Sequence, residues 1–267
     1  MRTSDFARAL FGISVAALAA LSLIYGNFGA LVGPFPAWLP LPKLWIYGLG
    51  ALLLLAGAGL LLSRTALASA GVIAVCGLLW ALASIPPALP HPLSVGSWYG
   101  FCEAQATLVG AWTLYAVLRR QCEIPAISAL TGDRALRVAR ALLGAAWVLY
   151  GAAHFAYEAY TTSMVPAWLP ARAGFTYLTG FFHIAAGLGL LFGILPRLAA
   201  GLEAAMMGLF GLLVWIPSFF AHPLPPWAAS TQARWSETLL TYVLTASAWI
   251  VAASLRRSPQ GNAATAP

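Results

Sequence analysis

Apolar residues run along this chain in eight long blocks, at residues 8–31, 44–63, 66–86, 98–118, 135–158, 174–194, 198–217 and 235–254. Short polar or proline-rich segments separate them. Each block has the length of roughly 20 residues that a helix needs to cross a hydrocarbon core. The strands of a membrane barrel would be shorter and would alternate, whereas helices satisfy their backbone groups internally. The pattern predicts an all-α integral membrane protein with eight transmembrane helices. The opening "MRTSDFARALFGISVAALAALSLIYG" resembles a signal peptide, with Arg2 and Arg8 ahead of an apolar stretch. It reads as a span because it has a counterpart inside the chain. The closing "RRSPQGNAATAP" reads as a disordered tail.

That counterpart comes from a repeat. "PAWLP" occurs at residues 36–40 and again at 166–170, an offset of 130. At that offset Tyr47 falls on Tyr177, Gly50 on Gly180, and "AGAGLL" from Ala56 on "AGLGLL" from Ala186. "IPPALPHPL" from Ile85 then matches "IPSFFAHPL" from Ile216, pairing His91 with His222, and Glu103 pairs with Glu237. The chain therefore reads as two four-helix repeats, 1–118 and 135–254, joined by a linker at 119–134 and followed by a tail at 255–267. An even number of spans per unit makes the two copies parallel, related by an axis along the membrane normal. Proline at both ends of the string stops the preceding helix from running on. Trp38 and Trp168 sit where indoles favour the membrane interface, as anchors, a structural lid or a gate.

Composition agrees with the pattern: 61% of residues are hydrophobic, 8% are charged and the mean hydropathy is +0.83. A water-soluble domain with this composition would lack the polar groups to cover its surface. The net charge is +7, and its distribution is informative. With eight spans, Arg2, Arg8, Arg64, Arg119, Arg120, Arg134, Arg137, Arg140, Arg197, Arg256 and Arg257 share one side, against Lys43, Arg172 and Arg234 on the other. Cytoplasmic loops accumulate basic residues, so both termini are placed in the cytoplasm, in a bacterial inner membrane. No basic stripe interleaved with aromatics points to nucleic acid.

Ionisable residues within apolar blocks are costly to bury and mark candidate sites. His154 and Glu158 lie four apart near the outer end of the fifth span, on one helical face, with Tyr150 one turn earlier. His183 lies mid-way along the sixth span and Glu237 at the outer start of the eighth. Glu203, on the seventh, is expected to meet Arg197 or an arginine on another helix. Packing hydrogen bonds between helices are the structural alternative for each. At the 130 offset Ile24, Phe28 and Leu53 stand opposite His154, Glu158 and His183, so the first repeat reads as structural. Cys76, Cys102 and Cys122 form no Cys-x-x-Cys pair. The scattered histidines fit no zinc pattern, and no spacing singles out two of them as haem ligands.

The second repeat resembles the DoxX family of four-helix membrane proteins. Gly151, His154 and Phe155, then Val165, Pro166, Trp168, Leu169 and Pro170, then Tyr177, Gly180, Gly187 and Arg197 carry the resemblance. Where the family often has Glu in the middle of its second helix, this chain has His183. Membership would imply membrane-bound sulfur or thiol redox chemistry coupled to quinone, with a protein partner supplying the donor redox centre. On this reading His154, Glu158 and His183 carry the chemistry, and Tyr150, Tyr157, Trp168 and Glu237 hold the ligand, because a histidine beside a carboxylate can hydrogen-bond a quinone carbonyl and deliver protons. Binding or transport of a lipid-like solute, and a non-catalytic scaffold, are the alternative functions.

Overall fold

The computed structural model describes residues 3–28, 40–121, 128–228 and 230–255, and all regular structure among them is helical. The long helices are α1 (Thr3–Tyr25), α2 (Pro42–Gly59), α3 (Ala66–Ala83), α4 (Tyr99–Gln121), α5 (Asp133–Ala156), α6 (Arg172–Phe192), α7 (Pro196–Phe210) and α8 (Thr231–Ser254). Short helices at Ile85–Ala88, Ser128–Thr131 and Glu158–Met164 lie between them. Seven segments are long and apolar enough to cross a membrane. This is an all-α, multi-pass membrane protein. The seven do not include α4, which matches α1 in length but carries Glu103, Gln105, Thr107 and Thr113 along its course and Arg119 and Arg120 in its last turn.

Burial explains that polarity. The most apolar stretch of α8 is 72% buried, against 22% for α2, so α8 is central and α2 peripheral. α8 packs on α1, α4 and α7, and α4 packs in turn on α3 and α5. Helices enclosed by protein need no uniformly apolar surface, provided their polar groups are satisfied. Thr238 and Thr245 donate to carbonyls one turn back, at 2.6 and 2.8 Å, and the Gln105 amide donates to the Leu142 carbonyl of α5. The peripheral helices instead turn residues such as Leu55, Phe192 and Leu195 outward, as lipid contact requires.

Two glycine crossings fix the helix pairs. A Cβ on Gly187 would lie 2.6 Å from the Gly144 carbonyl oxygen, and one on Gly57 would lie 2.7 Å from that of Gly12. Only small residues let α6 approach α5, and α2 approach α1, this closely. Leu41 and Ala171, each the residue after a "PAWLP" string, both take left-handed backbone, at φ 56° and 49°, to start α2 and α6.

Several boundaries differ from those the sequence suggests. α1 begins at Thr3 and stops at Tyr25 instead of continuing to 31, because Gly26 adopts φ +63°, the left-handed conformation that ends helices. α4 and α5 extend into the expected linker, where Arg120 and Asp133 pair at 2.8 Å across it. Trp38, most of the first "PAWLP" string, Cys122 and the tail lie outside the described residues. Directly after α7 a π turn, Gly211–Trp215, precedes Pro217. Proline has no N–H to donate to the carbonyl four residues back, and the wider turn carries the chain past that gap.

Candidate functional site

A cavity of about 900 Å³ lies among α4, α5, α6, α7 and α8, with Val165, Pro166, Trp168 and Leu169 of the turn before α6 at one side. Its wall is mainly apolar and aromatic. Of the residues singled out from sequence, Tyr150, His154, Tyr157, Trp168, His183 and Glu237 all line it. Trp168 is 70% exposed at the rim. Glu158 does not line it.

The reason for that correction is a break in the helix. Tyr157 has φ −120° and ψ 41°, so α5 ends at Ala156 and a new short helix begins at Glu158. His154 and Glu158 are thus not on one continuous helical face. The Tyr157 hydroxyl is tethered to the loop before α4, where it accepts from the Gly96 N–H at 3.1 Å and meets Ser94 Oγ at 3.4 Å. These hydrogen bonds hold the phenol pKa below its ordinary value. Glu158 instead accepts from Thr162 at 2.9 Å, and Thr162 bonds Thr176 of α6 at 2.9 Å. These bonds connect the short helix to α6.

At the deep end, Nδ1 of His154 donates to the Tyr150 carbonyl at 2.9 Å, which leaves Nε2 as a free acceptor. The His154 ring lies 4.9 Å from that of His183, centre to centre. Trp147 stacks on His183 at 5.7 Å with 13° between planes, and Phe210 meets it edge-on at 5.8 Å. His183 is therefore fixed on three sides.

Its main partner is one the sequence reading placed elsewhere. Nδ1 of His183 lies 2.6 Å from Oε1 of Glu203, and both side chains are about 1% exposed or less. Glu203 meets this histidine, not an arginine. The geometry has a simple origin: His183 and Glu203 stand ten residues before and ten residues after Gly193, whose φ of +73° ends α6 at the hairpin into α7. Equal arms of an antiparallel hairpin meet at one level, here roughly 15 Å from the turn at 1.5 Å per residue. That is about the middle of a hydrocarbon core. The alignment is not that of a regular hydrogen bond, and Oε2 of Glu203 has no partner.

At another part of the wall, Glu103 of α4 and Glu237 of α8 both line the cavity, close enough for each to feel the other's charge. Tyr99 of α4 also lines it, its ring 5.7 Å from that of Tyr150. The first half of the chain thus contributes to the site, which sequence reasoning assigned to the second half alone. His91 and His222 are exposed on loops and take no part.

Arg172, counted earlier only for its charge, positions the rim. Its guanidinium donates to the carbonyls of Val165, Thr162 and Ser163 at 2.8, 2.8 and 2.9 Å, which ties the short helix and the following turn to the start of α6. Among the described residues no group of three or more His, Cys, Asp or Glu side chains is arranged to hold a metal ion. No protein-family model, curated protein or solved structure matches the chain.

Proposed function

We propose that this is a DoxX-like membrane protein whose cavity binds a quinone-type amphiphile, as a subunit of a membrane oxidoreductase system. The observation that carries this reading is one apolar, aromatic cavity in which His154, His183 with its buried Glu203, Glu103 and Glu237 all meet. A quinone needs an apolar slot for ring and tail, hydrogen-bonding groups for two carbonyls, and a route for the protons that accompany reduction. His183 is the group for one carbonyl, and His154 Nε2, an acceptor, receives the hydroxyl proton of the reduced quinol; Glu103 and Glu237 stand on other helices. Cys76 and Cys102 lie on different helices and form no dithiol motif, so the electron donor belongs to a partner protein.

The same proposal includes the topology: eight spans in two parallel repeats, both termini cytoplasmic, in a bacterial inner membrane. The matching glycine crossings and the matching left-handed residues 41 and 171 support the duplication. The arginine bias supports the orientation. On this topology the 165–170 turn is external and the Gly193 hairpin cytoplasmic.

The test is a titration of purified protein in mild detergent with a short-chain quinone and with its quinol, read by quenching of the tryptophans around the cavity. His154→Ala is expected to weaken binding of the quinol by roughly tenfold, the loss of one hydrogen bond accepted by Nε2. Unchanged binding and turnover in that variant would overturn the assignment.

A further inference from the structure

The chain holds a second large cavity at the end of the helices opposite the 165–170 turn. It is about 910 Å³ in volume and is lined by Arg120, Arg197, Gly201, Ala204 and Ser254 among others. Ala204, the residue after Glu203, belongs to its wall, as do Gly201 and Ala205 on the same helix. Glu203 lines neither cavity itself, but its contact His183 lines the first and its chain neighbour Ala204 the second; one of its oxygens lies on His183 and the other is unpartnered.

Packing around the pair is apolar. Leu143 and Trp147 of α5, Leu190 of α6, Ala200, Ala204 and Met207 of α7, and Leu244 and Ala248 of α8 form one buried cluster at this level. The ionisable groups facing the pair are His154 and Tyr150 toward the first cavity, with Glu103 and Glu237 beyond them. Toward the second cavity are Arg197 and Arg120, with Arg140 against Gly193 at the hairpin. A carboxylate and a histidine held together in mid-membrane, with no arginine or lysine paired to them among the described residues, are expensive to maintain as mere packing.

We propose that His183 and Glu203 form a proton relay connecting the ligand cavity to the cavity at the arginine-rich end. In its resting form the relay holds one proton on Nε2 of His183 and one between Nδ1 and Oε1, so that the pair is net neutral. Release of the Nε2 proton into the first cavity leaves the pair with one net negative charge. Entry of one proton at Oε2 of Glu203, from water in the second cavity, restores neutrality. One proton leaves and one enters, and rotation or tautomer exchange of the imidazole resets the pair. The relay gives the proposed quinone site a cytoplasmic proton source and to that extent rests on it, but its own test needs no quinone.

Trp147, stacked on His183, is the native reporter, because a protonated imidazole quenches a neighbouring indole. Protein is reconstituted in sealed, uniformly oriented vesicles, and the pH of one compartment is stepped while the other is held. The Trp147 signal is isolated by difference against Trp147→Phe. The expected result is a signal that follows the pH at the arginine-rich end, and a loss of roughly a hundredfold in that response rate in Glu203→Gln, within the range that positioned acid–base groups contribute. Glu203→Asp is expected to recover part of it. A wild-type signal that follows only the other compartment, or a response that Glu203→Gln leaves intact, overturns the relay. The wild-type measurement decides even if the variant fails to fold. Failure here with normal quinone binding removes the relay alone, whereas a working relay without quinone binding removes the ligand assignment alone.

Discussion

Leu53 and Ile73 in the first half stand where His183 and Glu203 stand in the second, each pair 130 positions from the other and each flanking its hairpin by ten residues. The frames around them correspond: α1 crosses α2 at Gly12 and Gly57, and α5 crosses α6 at Gly144 and Gly187. The interiors do not. Ile73 is fully buried in a hydrocarbon cluster against which Leu53 packs, and the equivalent place in the second half holds a buried histidine–glutamate pair beside a cavity. One backbone arrangement therefore supports either a packed core or a polar site, and a few side chains decide which.

The most direct way to break that comparison is to give the second half the residues of the first. Glu203→Ile alone strands a buried histidine, and His183→Leu alone strands a buried carboxylate. Each is expected to cost about 3–5 kcal/mol of stability, the usual penalty for removing one partner of a buried pair. The double variant is expected to recover that loss and to match the parent or exceed it by about 1–4 kcal/mol. Thermal unfolding of all three in detergent checks this. If the losses in the single variants simply add in the double, the pair is not a coupled unit and the equivalence with Leu53 and Ile73 fails.

The frame itself offers a smaller effect that should not distinguish the halves. Gly187→Ala and Gly57→Ala each place a methyl group against a carbonyl oxygen at 2.6 and 2.7 Å. Overpacking of this kind costs about 1–3 kcal/mol, and the same range applies to both because the crossings are alike. A Gly57→Ala variant with unchanged unfolding temperature beside a crippled Gly187→Ala would show that the two crossings bear different loads.

The crossings also show what the sequence revealed. Apolar block length located the spans, and "PAWLP" located the duplication, because both are local signals. Convergence of His154, His183 and Glu237 followed from their depths along successive spans. Register was harder. Gly12 and Gly144 are 132 positions apart, while Gly57 and Gly187 are 130 apart, so on the first helix of each half Ser22 stands opposite His154 in place of Ile24. Ser22 donates to the Leu18 carbonyl one turn back just as His154 does to that of Tyr150. The shift to 131 at Ile85 and Ile216 follows the π turn after α7, which takes up one residue. The break at Tyr157 had no proline or glycine to announce it, since a tether from Gly96, 61 residues away, holds it. The partner of Glu203 was readable in principle from its distance to Gly193, but only with the hairpin in view.

Arg172 sharpens the comparison at its outer edge. Its counterpart at the 130 offset is Pro42, which carries no side-chain donor. Three carbonyls in the second half therefore depend on one guanidinium that the first half lacks. Arg172→Lys keeps the charge but loses the planar fork that reaches Val165 and the end of the short helix together. The expected cost to global stability is small, about 1 kcal/mol, because the residues it ties are at the rim. Its larger consequence is kinetic: a turn held less firmly over the cavity should release ligand faster while leaving the deep contacts of His154 and His183 unchanged. Stopped-flow dissociation of the quinone probe reads this directly. An unchanged dissociation rate in a folded Arg172→Lys variant would mean that ligand leaves between the helices and not past the 165–170 turn, and that the rim serves only to start α6.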